Sequence, residues 1–374
     1  MKRLHWDPVC LRPEGLVSPS RVDPSGLEGP TWRTANGPNW DRVSRGLYVP
    51  ANRPKVVEQR IVEQAARLLS DATAGCVTAW AALRWHGANF FDGLDNDGVT
   101  LLPVPMVLGG GGHKLRQVAG SHVSREQLPW NDREVVDGVP VTTVARALFD
   151  EVHRRGRLWP AVSAIDMAAA AGLISVWLFA TYVGNMNSRN GAPLAREACS
   201  LAVDESRSPL ETWLRLIWLI LAGLPEPLVN HPVYDLDGRL LGIPDLFDPI
   251  AGLVVEYDGA HHTIGDQPLR DLVREERFRD HGLEYIAIVK GQSRAAVARR
   301  LVAARARAPF RPPPSRAWTV DRPAWDPEPE NLTARLERLG LAPYLTGEST
   351  ERNRPGSWAE GAKTFRTFRG SQPA

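Results

Sequence analysis

Residues 238–262 read GRLLGIPDLFDPIAGLVVEYDGAHH, and this stretch decides the reading of the C-terminal half of the chain. Leu253 to Asp258 is a largely apolar run, and Asp248-Pro249-Ile250-Ala251-Gly252 before it has turn composition, so a buried strand entered from a turn is predicted. Strand side chains alternate between faces, which points Glu256 and Asp258 one way and Val255 and Tyr257 the other. A hairpin closed around Ile250 and Ala251 sets Asp245 directly across from Glu256, where cross-strand neighbours lie about 4.5–5.5 Å apart. Carboxylates that close repel one another unless a cation neutralises them, and such oxygen donors suit Mg²⁺ or Mn²⁺. Asp245, Glu256 and Asp258 are therefore candidate metal ligands and catalytic carboxylates of a phosphodiester-cleaving site. The bland alternative is a solvated strand face, which the preceding Leu-Val-Val run disfavours.

The flanks supply more candidates. Ser208-Pro209-Leu210-Glu211 opens a helix, with Ser208 as N-cap, Pro209 at the first helical position and Glu211 three residues after the cap. That capping box accounts for Glu211 as readily as a metal role does. Leu210, Leu214, Ile217, Trp218 and Leu221 recur at helical spacing before Gly223. Downstream, Arg270, Arg274 and Arg277 line one face of a second helix ending at Gly282, a face able to grip DNA phosphates through guanidinium forks. Pairing with Asp271, Glu275, Glu276 and Asp280 on a solvated face is the alternative. Leu283 to Val289 reads as a terminal strand and Arg294 to Arg307 as a last helix packed outside the sheet. The order αββαβα predicts a mixed sheet flanked by helices.

Asp245, Glu256-Tyr257-Asp258-Gly259, His261 and His262 together resemble the PD-(D/E)XK nucleases. More closely they resemble the very-short-patch-repair-like endonuclease domains. The Ser208–Glu211 helix start, the Asp271/Arg274 pair and the terminal strand extend the resemblance over residues 205–305. It implies an α/β (α+β) restriction-endonuclease-like fold, DNA as substrate and Mg²⁺ or Mn²⁺ as cofactor. The family pattern has Lys two residues after the Glu, where this chain has Asp258, as the repair-like branch commonly does. That replacement removes a positive group near the attacking water. His261 or His262 then becomes the candidate for proton transfer, because imidazole titrates near neutral pH.

The N-terminal half reads differently. Residues 1–30 carry Pro8, Pro13, Pro19, Pro24 and Pro30 with little periodicity and are expected to form a loose arm. Within 31–55, Trp40 to Pro50 resembles the last helix and wing of the winged helix in AbiEi-type abortive-infection antitoxins, although no two helices are evident before it. Residues 56–204 form a mostly helical middle region, with helices expected from Val56 to Leu69 and from near Thr78 to His86. Ala81-Ala82-Leu83, His86-Gly87 and Gly138 to Arg146 also resemble the AbiEi-like, repair-nuclease-like fusion proteins. Gly109 to Gly112 precede His113-Lys114 without the Ser/Thr of a P-loop, so no nucleotide cofactor is expected. His86 and His113 have no partner at ligand spacing and read as structural. After the nuclease-like 205–307, residues 308–374 begin with Pro309 and Pro312-Pro313-Pro314 and are expected to be a Pro/Arg-rich, largely disordered tail with one short helix at Asn331–Leu339.

Composition frames these expectations. The chain has 374 residues, 24% charged and 43% hydrophobic, enough for two or three globular domains. Its formal net charge is +2, so any DNA surface must come from local arginine clustering. Cys10, Cys76 and Cys199 match no zinc or disulfide spacing, in keeping with a reducing cytoplasm. No apolar run has the length of a signal peptide or a membrane span, so no membrane partner is expected. The leading expectation is a metal-dependent DNA endonuclease in repair or phage defence. The alternative is a DNA-binding antitoxin or regulator that uses an inactive nuclease-like fold as a scaffold, partnered by a toxin or defence protein.

Overall fold

The computed structural model describes residues 12–70, 74–95, 97–110, 115–186, 189–258 and 267–342. The first elements are a hairpin of β1 (Trp40–Ser44) and β2 (Leu47–Pro50), then α1 (Val57–Ser70), β3 (Cys76–Val77), α2 (Ala79–Trp85), β4 (Val104–Val107), β5 (Ser121–Ser124), β6 (Arg133–Val136) and β7 (Val139–Thr142). Four helices follow: α3 (Val144–Arg155), α4 (Leu158–Ala170), α5 (Val176–Gly184) and α6 (Ala192–Cys199). Strands β3 to β7 form a five-stranded mixed sheet in the order β5-β4-β3-β7-β6. One large core spans this sheet and helices, with Trp80, Leu83, Leu148, Phe149 and Phe179 fully enclosed.

Two expectations for the N-terminal half change. The stretch read as the last helix and wing of a winged helix is the β1–β2 hairpin instead, and among the described residues no helix precedes it, as the sequence indicates. The Pro- and Gly-rich composition before Trp40 cannot sustain one. The arm from residue 12 is also tied down rather than loose. Ser20 bridges Tyr48, and the Gln59 amide bonds both the N–H and the C=O of Val17 at 2.9 Å.

The second body is built around the quoted stretch. It comprises α7 (Pro209–Leu216), β8 (Leu228–Val229), β9 (Val233–Asp235), β10 (Leu240–Gly242), β11 (Leu246–Asp248), β12 (Leu253–Asp258), α8 (Gln267–Asp280), β13 (Glu284–Val289) and α9 (Arg294–Arg307). The main sheet is mixed, in the order β13-β12-β11-β8, with β12 and β13 parallel and the remaining pairs antiparallel. Alternation along β12 divides the body. Leu253 and Val255 join Leu246, Ile286 and Ile288 beneath α7 and α9, while Val254 joins Phe247, Phe278 and Tyr285 beneath α8. Helix α7 continues into a π-helical turn over Ile217–Leu221. Ile217 and Trp218 are buried with Leu214, and the wider turn carries Leu221 round to solvent; Leu210, in the first turn of α7, is also exposed.

Residues 308–342 are docked, contrary to the expected disordered tail. Strand β14 (Trp318–Thr319) pairs antiparallel with β9 in a three-stranded sheet, order β10-β9-β14. Trp318 packs edge-on to Phe247, and the Trp325 indole donates to the Gly238 carbonyl at 3.0 Å. The chain then returns to the first body, where α10 (Leu332–Arg338) buries Leu332 and Leu336. The prolines make this segment an extended strap, and its aromatic residues supply enough apolar area to hold it down. The predicted short helix is α10; residues 343–374 lie outside the described residues.

A second junction joins the two bodies through α4 and α7. The Asp166 carboxylate is fully buried and accepts from Arg215 Nη2 and Thr212 Oγ1 at 2.7 Å and from the Val203 N–H at 2.9 Å. The indoles of Trp159 and Trp213 meet edge-on beside it at 5.5 Å, and the Arg294 guanidinium lies over both rings.

Candidate active site

The β11–β12 hairpin forms because Asp248 builds its turn. One carboxylate oxygen accepts from the Ile250 and Ala251 N–H groups at 2.9 and 3.0 Å, and the other accepts from Arg305 of α9 at 2.8 Å. Gly252 closes the turn at φ +75°, where a Cβ is disfavoured. The resulting register pairs Leu246 with Val255, Phe247 with Val254 and Asp248 with Leu253. The paired register ends at Leu246; Asp245 lies at the bend just before it, near enough to Glu256 for that charge to act on its carboxyl.

Three carboxylates converge here from three elements. Glu211 comes from the first turn of α7, Asp245 from the entry to β11, and Glu256 from the middle of β12. Each is held by a named oxygen. Asp245 Oδ2 accepts the Tyr257 N–H at 2.7 Å. Glu256 Oε2 accepts Arg274 Nη2 at 2.5 Å and the Tyr285 hydroxyl at 2.9 Å. Glu211 Oε2 accepts the Arg207 N–H at 2.8 Å and Asn230 Nδ2 at 2.7 Å, while its own N–H is capped by Ser208 Oγ at 3.2 Å. Ser208 thus caps the helix, while the Glu211 carboxylate ties down the Arg207 N–H just before the cap rather than closing a full capping box, and also belongs to the carboxylate group.

The electrostatics of the group are uneven. Burial, followed by the charge of Glu211, pushes the Asp245 carboxyl up to about 7. Glu256 adds to the rise, and the Tyr257 N–H and Arg274 oppose it. Arg274 pairs with Glu256 at 2.5 Å, one guanidinium beside the three carboxyl groups among the described residues. The Tyr285 hydroxyl is pushed above its ordinary value, first by burial and then by the Glu256 charge. It therefore stays protonated and remains a donor to Glu256.

The other sequence candidates divide. Asp258 ends β12 and is exposed. His261 and His262 lie outside the described residues, as does the side chain of Arg270. Arg274 and Arg277 are both on α8. Arg274 turns inward to Glu256, and Arg277 is exposed on the helix surface. Arg274 thereby holds one of the carboxylates. Among the described residues, no three His, Cys, Asp or Glu side chains are gathered as a ready metal cage. His86 serves the first body, its Nε2 lying 2.9 Å from the Thr142 carbonyl.

Sequence reasoning missed Tyr285 and Asn230. Tyr285 reaches Glu256 because β13 runs parallel to β12 with Tyr285 beside Val254, a long-range register that no local pattern fixes. Asn230 sits at φ +48° after β8, its Nδ2 held by Glu211 and its N–H donating to the Asp245 carbonyl at 3.2 Å. The Asn230-His231-Pro232 turn composition was its available signal, since Asn tolerates the left-handed region better than most residues.

No protein-family model, curated protein or solved structure matches this chain. Among the described residues no helix is long and apolar enough to cross a membrane.

Proposed function

We propose that the chain is a metal-dependent DNA endonuclease whose second body is a restriction-endonuclease-like domain of the very-short-patch-repair-like kind. The observation that carries this reading is the meeting of Asp245, Glu256 and Glu211 at the end of one hairpin, with burial and carboxylate repulsion holding Asp245 up at about 7. Carboxyl groups raised by burial and by neighbouring carboxylates gather at functional sites, which is what favours this reading. The mixed sheet with helices on both faces supports the same reading; the chain order is α7-β8-β9-β10-β11-β12-α8-β13-α9, with three strands between α7 and β11 beyond the expected αββαβα.

The donor set fits Mg²⁺ or Mn²⁺, because it is made only of oxygens. Mg²⁺ keeps several waters and needs only one or two carboxylates, so the lack of a three-ligand cage among the described residues is compatible with it. Asp245 and Glu256 would hold the ion, with Glu211 and the exposed Asp258 assisting. When bound, the cation supplies positive charge that offsets the phosphate and favours its hydrolysis.

The residues of the chain have separate tasks. Arg274 and Tyr285 fix the orientation of Glu256, the Tyr257 N–H fixes Asp245, and Asn230 keeps Glu211 in register with both. Near neutral pH the Asp245 carboxyl holds a proton part of the time and gives it up when positive charge arrives. His261 or His262 would carry the remaining proton transfers. Such a nuclease would act in repair or in defence, in a cytoplasmic setting, with the first body selecting the target or a partner protein.

The test is incubation of labelled duplex, mismatched and single-stranded DNA with the full chain in Mg²⁺, Mn²⁺ or EDTA. Metal-dependent strand scission supports the reading. Intact DNA under every condition, with binding to duplex retained, moves the function to DNA-binding regulation.

A further inference from the structure

We infer that the groove along the outer edge of β13 is a binding site for the phosphodiester backbone of DNA, separate from the carboxylate cluster but continuous with it. This rests on the nuclease reading for the identity of its ligand and deepens it by naming where the uncut flank of the substrate lies.

The sequence already sets this region apart. Lys290 to Arg316 contains eight basic residues and no acidic one, in a chain whose net charge is only +2. Helix α9 turns its apolar stripe of Val297, Ala298, Leu301 and Ala304 onto the sheet, which leaves Arg299 and Arg307 exposed on its outer side. Strand β13 is the edge of its sheet, so α8 and α9 flank an open channel beside it. This channel has a volume of about 370 Å³ and is lined by Arg279 from α8, Tyr285 and Ala287 from β13, and Arg300 and Arg307 from α9. Glu275 is the one acidic residue of its lining.

The arginines are positioned rather than scattered. Arg300 is fixed at the strand edge, with Nη2 donating to the Ala287 carbonyl at 3.0 Å and Nη1 to Gln292 Oε1 at 2.8 Å. It also blunts the open edge against pairing with another strand. Arg279 pairs with Glu275 at 2.9 Å and Arg307 with Glu284 at 2.7 Å, and both guanidinium groups are more than half exposed. Exposed ion pairs of this kind contribute little, so a phosphate can displace them and recruit both cations at small cost. Arginine is the side chain suited to forked contact with phosphate oxygens. Tyr285 is common to both: it is among the residues that line the groove, and its hydroxyl bonds Glu256. A strand whose reacting phosphate lies at Glu256 is thereby within one side chain of the groove.

The experiment measures binding of a labelled DNA duplex to the full chain by fluorescence anisotropy over a range of salt, in EDTA so that no cutting occurs. The Arg279→Ala/Arg307→Ala variant is compared with wild type and with Arg239→Ala/Arg338→Ala, which removes the same charge elsewhere. Each phosphate contact contributes about 0.9 to the slope of log affinity against log salt. The groove variant is expected to lose about 2 from that slope and to bind more weakly, while the control pair keeps the wild-type slope. Equal slopes for the two double variants overturn the proposal, and so does a wild type that does not bind DNA. A wild type that binds with the expected slope change but never cuts refutes the nuclease reading alone. One that cuts while the groove variant keeps its slope refutes the groove alone.

Discussion

Replacing Asp245 by asparagine should make the protein more stable at alkaline pH, although it removes a residue of the proposed site. The amide oxygen of asparagine can still accept the Tyr257 N–H, while the charge that opposes Glu211 and Glu256 disappears. In the folded wild type this carboxyl holds its proton up to about 7, whereas the unfolded chain releases it near the ordinary 3.8. The folded state therefore binds more protons across that interval, and its stability falls as pH rises from about 4 to about 7 and stays lower above. At about 1.4 kcal/mol per pH unit the whole interval is worth at most about 4 kcal/mol, and solvent access to the half-buried group brings this to about 2 kcal/mol. Urea unfolding of wild type and Asp245→Asn at pH 5 and pH 8 in EDTA measures the effect. The stability advantage of the variant should widen by about 1–2 kcal/mol between the two pH values. A pH-independent difference, or a variant that loses ground as pH rises, would refute the assignment of Asp245 as a strained carboxyl.

Three further outcomes are expected. Tyr285→Phe keeps the ring stacked 6.2 Å from Phe278 but deletes the donor to Glu256; at about 1.5–3 kcal/mol for a bond to a charged acceptor, thermal unfolding should shift down by several degrees, and an unchanged melting curve counts against the contact. Asp166→Ala strands the buried Arg215 between α4 and α7 and should cost about 3–5 kcal/mol in chemical denaturation; a loss under 1 kcal/mol would mean that the two bodies do not depend on this junction. Mn²⁺ must displace the Asp245 proton below about pH 7, so its calorimetric affinity should be weaker at pH 6 than at pH 8, and a flat profile contradicts ligation by Asp245.

The readable parts of this structure are those fixed by local rules. Turn composition at Asp248–Gly252 and period-two alternation set the hairpin register, and with it the meeting of Asp245 and Glu256. Helix α9 spans Arg294–Arg307, as its composition indicates, and β12 spans Leu253–Asp258. Illegible parts depend on distant partners. The parallel pairing of β13 brought Tyr285 to Glu256, and the inward turn of Arg274 followed from a carboxylate 18 residues away. The π-helical turn after α7 moved Leu221 off the buried stripe, which a pattern of 3.6 residues per turn cannot anticipate. In the strap after α9, proline content masked the aromatic residues, and Trp318 docked because β9 offered an edge and Phe247 a ring.

The most direct measurement pairs the stability gain with the chemistry. Wild type and Asp245→Asn would be incubated with end-labelled duplex and mismatched DNA in Mn²⁺, with EDTA lanes beside them. The account predicts scission by wild type that EDTA abolishes, and none by a variant that is folded and more stable at the assay pH. Equal scission by both proteins, or none by wild type in Mn²⁺, would contradict the claim that these carboxylates form a metal-dependent cutting site.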